Sequence, residues 1–221
     1  AREMGLPVNR LICASNENNV LTEYINTGVY NRNREFKRTI SPSMDILISS
    51  NLERLLFELT GHDAERVTDW MNKLKTEGRY MVNGGVKTKV SETFWAAYTS
   101  EYETIATIKD VYKDYGYVVD THTAVGFDVY DKYVISTGDM TKTVIASTAS
   151  PFKFNASVVR AIFGEEAVAG RSEFELLDIL AEKCGLIVPQ GLAGLKDKEI
   201  IHKRVCSRQE MKDEVRKILA C

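Results

Sequence analysis

Short apolar runs, each stopping at small or polar residues, alternate along this sequence with longer stretches of helical periodicity. Residues 10–15, Arg-Leu-Ile-Cys-Ala-Ser, read as a buried strand feeding a loop at residues 16–19. Residues 20–25 are short and amphipathic, and Gly28 stops them as a C-cap glycine does. Further strands are expected at Tyr117-Val-Val119, bounded by Asp120, and at residues 143–147, Thr-Val-Ile-Ala-Ser. Strands recurring between helices are joined most simply by crossovers. The expected fold is therefore α/β, a three-layer architecture with an open, twisted, mostly parallel sheet flanked by helices.

Spacing and caps supply the helices. Ser41-Pro42 opens an apolar pattern through Met44, Ile46 and Leu47, which Leu52, Leu55, Leu56 and Leu59 continue as a core stripe to Gly61. Residues 63–77 follow with Trp70 and Leu74 inward, then helices at 92–98 and 101–115, the latter closed by Gly116. Gly84-Gly85 between polar segments reads as an ordinary turn. Helices are next expected over 122–135 and 155–163. Beyond Gly170 the character changes: Ser172 caps a helix carrying Leu176, Leu177, Ile179 and Leu180, and residues 186–201 show little periodicity. A last helix over 207–219 starts from a Ser207 and Glu210 capping box.

Charge excludes some partners. The 29 basic and 31 acidic side chains leave a net −2, so no long-range field favours nucleic acid or an anionic membrane. Cys13, Cys184, Cys206 and Cys221 are widely separated and form no metal-ligand spacing with His62, His122 or His202, which reads as reduced thiols and no metal. No apolar run approaches the roughly 18 to 20 residues of a membrane span, and the first seven residues lack the order of a signal peptide. A soluble, cytoplasmic protein is expected. Residues 2–5, Arg-Glu-Met-Gly, followed by Leu6-Pro7, have the character of a helix end, so the expectation is that more chain precedes Ala1.

Several segments in order resemble the longer bacterial and fungal type of threonine synthase. They are residues 5–21, Gly-Leu-Pro-Val-Asn-Arg-Leu-Ile-Cys-Ala-Ser-Asn-Glu-Asn-Asn-Val-Leu, and residues 40–46, Ile-Ser-Pro-Ser-Met-Asp-Ile. Residues 49–57, Ser-Ser-Asn-Leu-Glu-Arg-Leu-Leu-Phe, and 120–126, Asp-Thr-His-Thr-Ala-Val-Gly, continue the match. So do 147–154, Ser-Thr-Ala-Ser-Pro-Phe-Lys-Phe, then 191–195, Gly-Leu-Ala-Gly-Leu, and His202-Lys203. Thr121 stands where the family often has proline, and Ser150 where it often has histidine.

The resemblance implies the C-terminal portion of a fold type II enzyme dependent on pyridoxal 5′-phosphate (PLP), with O-phospho-L-homoserine as substrate. It implies residues 1–170 as the C-terminal part of the large catalytic domain and 171–221 as a helical extension packed on it. It also implies a Schiff-base lysine in a Phe-Lys-Asp context and a Gly-Asn-Phe-Gly loop for the cofactor phosphate. Neither is present: Phe36-Lys37 is followed by arginine, Phe152-Lys153 by phenylalanine, and Leu195-Lys196-Asp197 lies in the wrong region. No catalytic residue is therefore assigned within the chain, the missing N-terminal half of the polypeptide is the expected partner, and these residues alone are expected to be inactive. The rival expectations are a related phosphohomoserine lyase and a stand-alone binding module.

Within the chain, the resemblance places the Thr148 hydroxyl, with Ser147 as the alternative, against the pyridine nitrogen. His122 and Thr123, just after the expected strand at 117–119, are candidate pocket residues, since imidazole exchanges protons near neutral pH. A polar helix N-terminus would use the same pair, with Thr123 as a cap. Ser15 and Asn16 follow the first strand toward the same edge and join the candidate pocket; they, Ser41 and Ser43 equally suit turns and caps.

Overall fold

The computed structural model describes residues 2–219. Ala1, at the expected helix tail, and the Cys221 thiol lie outside the described residues. A 3-10 turn over Arg2–Met4 ends at Gly5, whose N–H reaches Arg2 O at 2.9 Å.

The chain then enters β1 (Leu11–Ser15), α1 (Val20–Thr27) and β2 (Val29–Asn31). α1 ends where Gly28 takes a left-handed φ of 77° that a side chain disfavours. A 3-10 turn at Pro42–Met44 precedes α2 (Leu52–Leu59) and α3 (Ala64–Thr76), followed by β3 (Arg79–Met81), α4 (Gly84–Thr93) and β4 (Phe94–Tyr98). α5 (Glu101–Tyr115) begins at a full capping box between Ser100 and Glu103, and α6 (Thr121–Thr137) at Asp120. α7 (Asn155–Phe163) and α8 (Glu173–Cys184) follow, the latter with a capping box at Ser172 and Glu175.

The fold is α/β with a parallel strand pair. β1 and β4 run parallel, while β2 and β3 form a separate antiparallel pair. α1 lies against both parallel strands on one side and α6 on both as well. The core beneath joins Val20, Tyr24 and Ile25 of α1 to Leu56, Trp70, Val86, Val90 and Ala96. Tyr30 and Tyr80 stack at 5.4 Å within it, and Trp70 stacks on Tyr80. Of the leucine stripe, Leu56 is fully buried and Leu52 and Leu59 pack on its border.

The chain divides into two compact units, Ala1–Leu186 and Ile187–Cys221. α8 thus belongs with α7, on which it packs, in the first unit, where the sequence reading drew its boundary earlier, at 170. The second unit holds a 3-10 turn at Leu195–Asp197 and α9 (Met211–Leu219), whose Glu214 pairs with Lys217 at 2.5 Å. Ser207 N and Oγ both donate to Glu210 just before α9.

Several sequence expectations require correction. Residues 117–119 and 143–147 carry no regular secondary structure and belong to no sheet among the described residues. Val118 and Val119 are buried and Val144 is almost fully exposed, so the β-branched pattern recorded burial or local propensity without a partner to complete a ladder. The expected helix at 92–98 is instead the end of α4 and then β4, because Phe94, Trp95 and Ala96 form an apolar run whose period does not separate helix from strand. Gly84-Gly85 opens α4 rather than forming a free turn, since the Asn83 side chain accepts from Val86 N at 3.0 Å and caps the helix. The pattern from Pro42 to Leu59 breaks into a 3-10 turn, a loop and α2.

Candidate active site

Because β1 and β4 pair in register from Leu11↔Phe94 to Ser15↔Tyr98, their C-terminal ends finish together. That edge is where open α/β sheets present residues to ligands. Ser15 closes β1, and Asn16 turns the chain away from it; both are buried. Ser15 Oγ and Thr22 Oγ1 are hydrogen-bonded at 3.0 Å, and Thr22 Oγ1 also reaches Ala97 O at 2.9 Å, which fastens α1 to this edge.

The Asn16 amide organises the loop above it. Its Nδ2 lies 2.8 Å from Asp45 Oδ1, 2.9 Å from Thr39 Oγ1, 3.0 Å from Ser41 Oγ and 3.4 Å from Ser41 O, so its two N–H groups are shared among four acceptors. Asp45 also accepts from Asn18 Nδ2 at 3.0 Å, Thr39 Oγ1 at 2.7 Å and Thr39 N at 2.9 Å. These bonds hold residues 37–45 over the end of β1.

The opposite side of the same loop is held by the start of α6. Asp120, fully buried, caps that helix by accepting from His122 N at 2.8 Å, from Thr123 N at 3.2 Å and from Thr123 Oγ1. His122 Nε2 accepts the Ser43 N–H at 3.0 Å, which assigns the ring proton to Nδ1, 3.3 Å from Asp120 Oδ1. With both nitrogens engaged, the imidazole pins the Pro42–Met44 turn to α6 and leaves neither nitrogen open to a substrate. Its ring also packs on Phe154, with centroids 4.7 Å apart. Burial by itself pushes the Asp120 carboxyl up. Hydrogen bonds from the His122 and Thr123 side chains and from both their backbone N–H groups outweigh it and hold the group down at about 2.

Thr123 carries the connection onward, because its Oγ1 is hydrogen-bonded to Ser147 Oγ at 3.1 Å. Ser147 and Thr123 line a cavity of about 370 Å³ walled by Tyr117, Phe127, Tyr130, Thr143 and Ile145. Gly126 lets residues 143–147 lie this close to α6, since a Cβ there would sit 3.2 Å from Ile145 Cγ2. Asn16, His122, Thr123 and Ser147 thus fall on one hydrogen-bonded arc running through Ser41, Ser43 and Asp120. Ser15 adjoins it at one end and Thr148, exposed beside Ser147, at the other. Thr148 does not line the cavity.

Sequence reasoning treated Asp120 as a strand boundary and passed over Asp45. The signal for Asp120 was present: an aspartate before Thr-His-Thr at a helix start is an N-cap pattern. Asp45 gave none, because its partners are up to 29 residues away in sequence.

Residues 123–217 match the family model described as the C-terminal part of threonine synthase. The chain is 39% identical over 163 residues to the human protein named threonine synthase-like 1, covering 73% of this chain and 22% of the relative. The crystal structure of yeast threonine synthase superposes on 99% of this chain with a TM-score of 0.81 at 31% identity. This chain resembles the C-terminal part of threonine synthases. It spans 44% of the yeast chain. A PLP-bound threonine synthase from Brucella melitensis also matches, with a TM-score of 0.66 at 37% identity over 75% of this chain and 35% of its own.

Both departures from the family pattern have local explanations. Thr121 occupies the first turn of α6, where proline is tolerated because that N–H has no helical partner. Ser150 caps the 3-10 turn Pro151–Phe154, its Oγ accepting from Phe152 N at 3.3 Å.

Proposed function

We propose that these residues form one wall of the cofactor cleft of an enzyme converting O-phospho-L-homoserine and water to L-threonine and phosphate. The observation that carries the reading is the extent of the likeness to yeast threonine synthase, which takes in the whole arc from Ser15 to Thr148. The residues suit PLP. Ser147 and Thr148 offer neutral hydroxyls beside a cavity with aromatic and aliphatic walls, no carboxylate lines it, and its volume falls in the range of small-ligand sites, about 300–1,000 Å³.

In this reading Thr148, with Ser147 beside it, meets the pyridine nitrogen. A hydroxyl there does not keep that nitrogen protonated as a carboxylate would. When bound, PLP supplies delocalisation of the negative charge that develops on the substrate carbons. The protein contributes position. Asp120 and His122 fix α6 and the 41–44 turn, and Thr123 fixes Ser147. The lysine that anchors the cofactor and the backbone cradle for its phosphate come from outside these 221 residues, so the chain alone turns nothing over.

A second reading, phosphate elimination from the same substrate without threonine formation, would use the same cleft and cofactor and differ only in the product. An assay of the naturally expressed protein with O-phospho-L-homoserine separates the two. Threonine and phosphate in equal amounts support the synthase, and α-ketobutyrate as the main organic product rejects it.

A further inference from the structure

A second cavity, of about 500 Å³, lies at the other end of the parallel strands. Asn9 and Arg10 lead into β1 and Phe94 and Trp95 begin β4, so this cavity opens at the N-terminal edge, the length of a five-residue strand from Ser15. Its chemistry is mixed in a specific way. Arg10 engages the carbonyls of Ser91 at 2.7 Å and Glu92 at 3.2 Å through Nη1, which orients the guanidinium while Nη2 and Nε remain for another acceptor. Asp139 is held by Tyr133 Oη at 2.6 Å and by Thr141 N at 2.9 Å. Both charged groups line the cavity; hydrogen bonds from Thr141 and Tyr133 hold the Asp139 carboxyl below its ordinary range, and the Arg10 charge is near enough to help without a direct salt bridge among the described residues. Between them stand Ile25, Phe94 and the edge-to-face pair Trp95 and Tyr133, with ring centroids 5.2 Å apart.

A fixed cation, a fixed anion and an aromatic wall select for a ligand carrying both charges and an apolar group. A simple carboxylic acid on Arg10 would bring a second negative charge beside Asp139, and a phosphate would bring still more. We propose that this cavity is a second ligand site, separate from the arc at Ser15 and Ser147, that takes a free α-amino acid with an apolar side chain. Its carboxylate lies on Arg10, its ammonium on Asp139 and its side chain against Trp95 and Tyr133. The site depends only on residues of this chain and stands whether or not the cofactor reading holds.

Trp95 reports on it directly, since the other tryptophan, Trp70, is buried against Tyr80 and does not line the cavity. Tryptophan emission of the whole chain is followed while L-leucine or L-phenylalanine is added, with phenylpropionate and phenethylamine as analogues that each lack one charge. The amino acids should give a saturable change in the millimolar range. Each one-charge analogue should bind about tenfold or more weakly, the loss that follows from removing a charge-assisted hydrogen bond. Arg10→Gln and Asp139→Asn should each weaken amino-acid binding to a similar degree, and the analogue series gives the same information should a variant fail to fold. Absence of a saturable change, or equal binding of the amino acid and both analogues, overturns the proposal.

Discussion

A carboxylate as buried as Asp120 is tolerated because His122 N, Thr123 N, Thr123 Oγ1 and His122 Nδ1 all converge on it. Its folded-state pKa of about 2 lies below the ordinary aspartate value, so the native state binds a proton less readily than the unfolded chain does. The resulting stabilisation, on the order of 2 kcal/mol, is complete above about pH 4 and is lost as pH falls toward 2. Asp120→Asn removes it, and urea unfolding at neutral pH should show a loss of about 1–3 kcal/mol that shrinks in acid. An unchanged pH profile would show that the cap is not the source. Thr123→Val tests the next link. It leaves both backbone bonds to Asp120 but removes the hydroxyl that meets Ser147. Hydrogen exchange should then rise over residues 143–149 while the start of α6 stays protected.

At the level of elements, most helices were legible, α4 excepted, and most strands were not. α1 and α5 could be read because apolar spacing agrees with a closing glycine, Gly28 or Gly116, and α8 because Ser172 precedes Glu175 by three residues. Ser172→Ala should cost about 1 kcal/mol in chemical denaturation, as loss of an exposed cap does. β2 and β3 are only three residues each and exist through Tyr30 and Tyr80 facing each other across the ladder, a contact 50 residues apart that local pattern does not record. Residues 143–147 teach the converse. Their alternation is real, with Thr143, Ile145 and Ser147 lining the cavity over α6 and Val144 open to solvent, but a strand needs a neighbour to become a sheet. The candidate site was legible to the same degree. Ser15, Asn16, His122 and Thr123 drew attention from their places at the ends of expected elements and Ser147 from the resemblance. Asp120 acts within three residues and shows as an N-cap pattern, whereas Asp45 reaches Asn16 from 29 residues away, a distance the sequence does not display.

For the molecule as a whole, the account turns on what the chain supplies to a cofactor and what it does not. The lysines close to the arc are committed elsewhere. Lys132 donates to Tyr98 O at 3.0 Å and pairs with Glu103 and Asp128 at 2.9 and 2.7 Å. Burial lowers its pKa, but hydrogen bonds to Asp128 and Glu103 outweigh that and raise it, so it stays an ammonium rather than the free amine a carbonyl requires. Lys37 is held by Glu17 at 2.9 Å, and the Lys153 ammonium lies over the Phe154 ring. The most direct test is the absorption spectrum of the purified chain after incubation with PLP and exhaustive dialysis. The account predicts a spectrum without a cofactor band. A band that survives dialysis and disappears on substitution of a single lysine, Lys132 or Lys153 included, would place the covalent anchor inside these residues and contradict it.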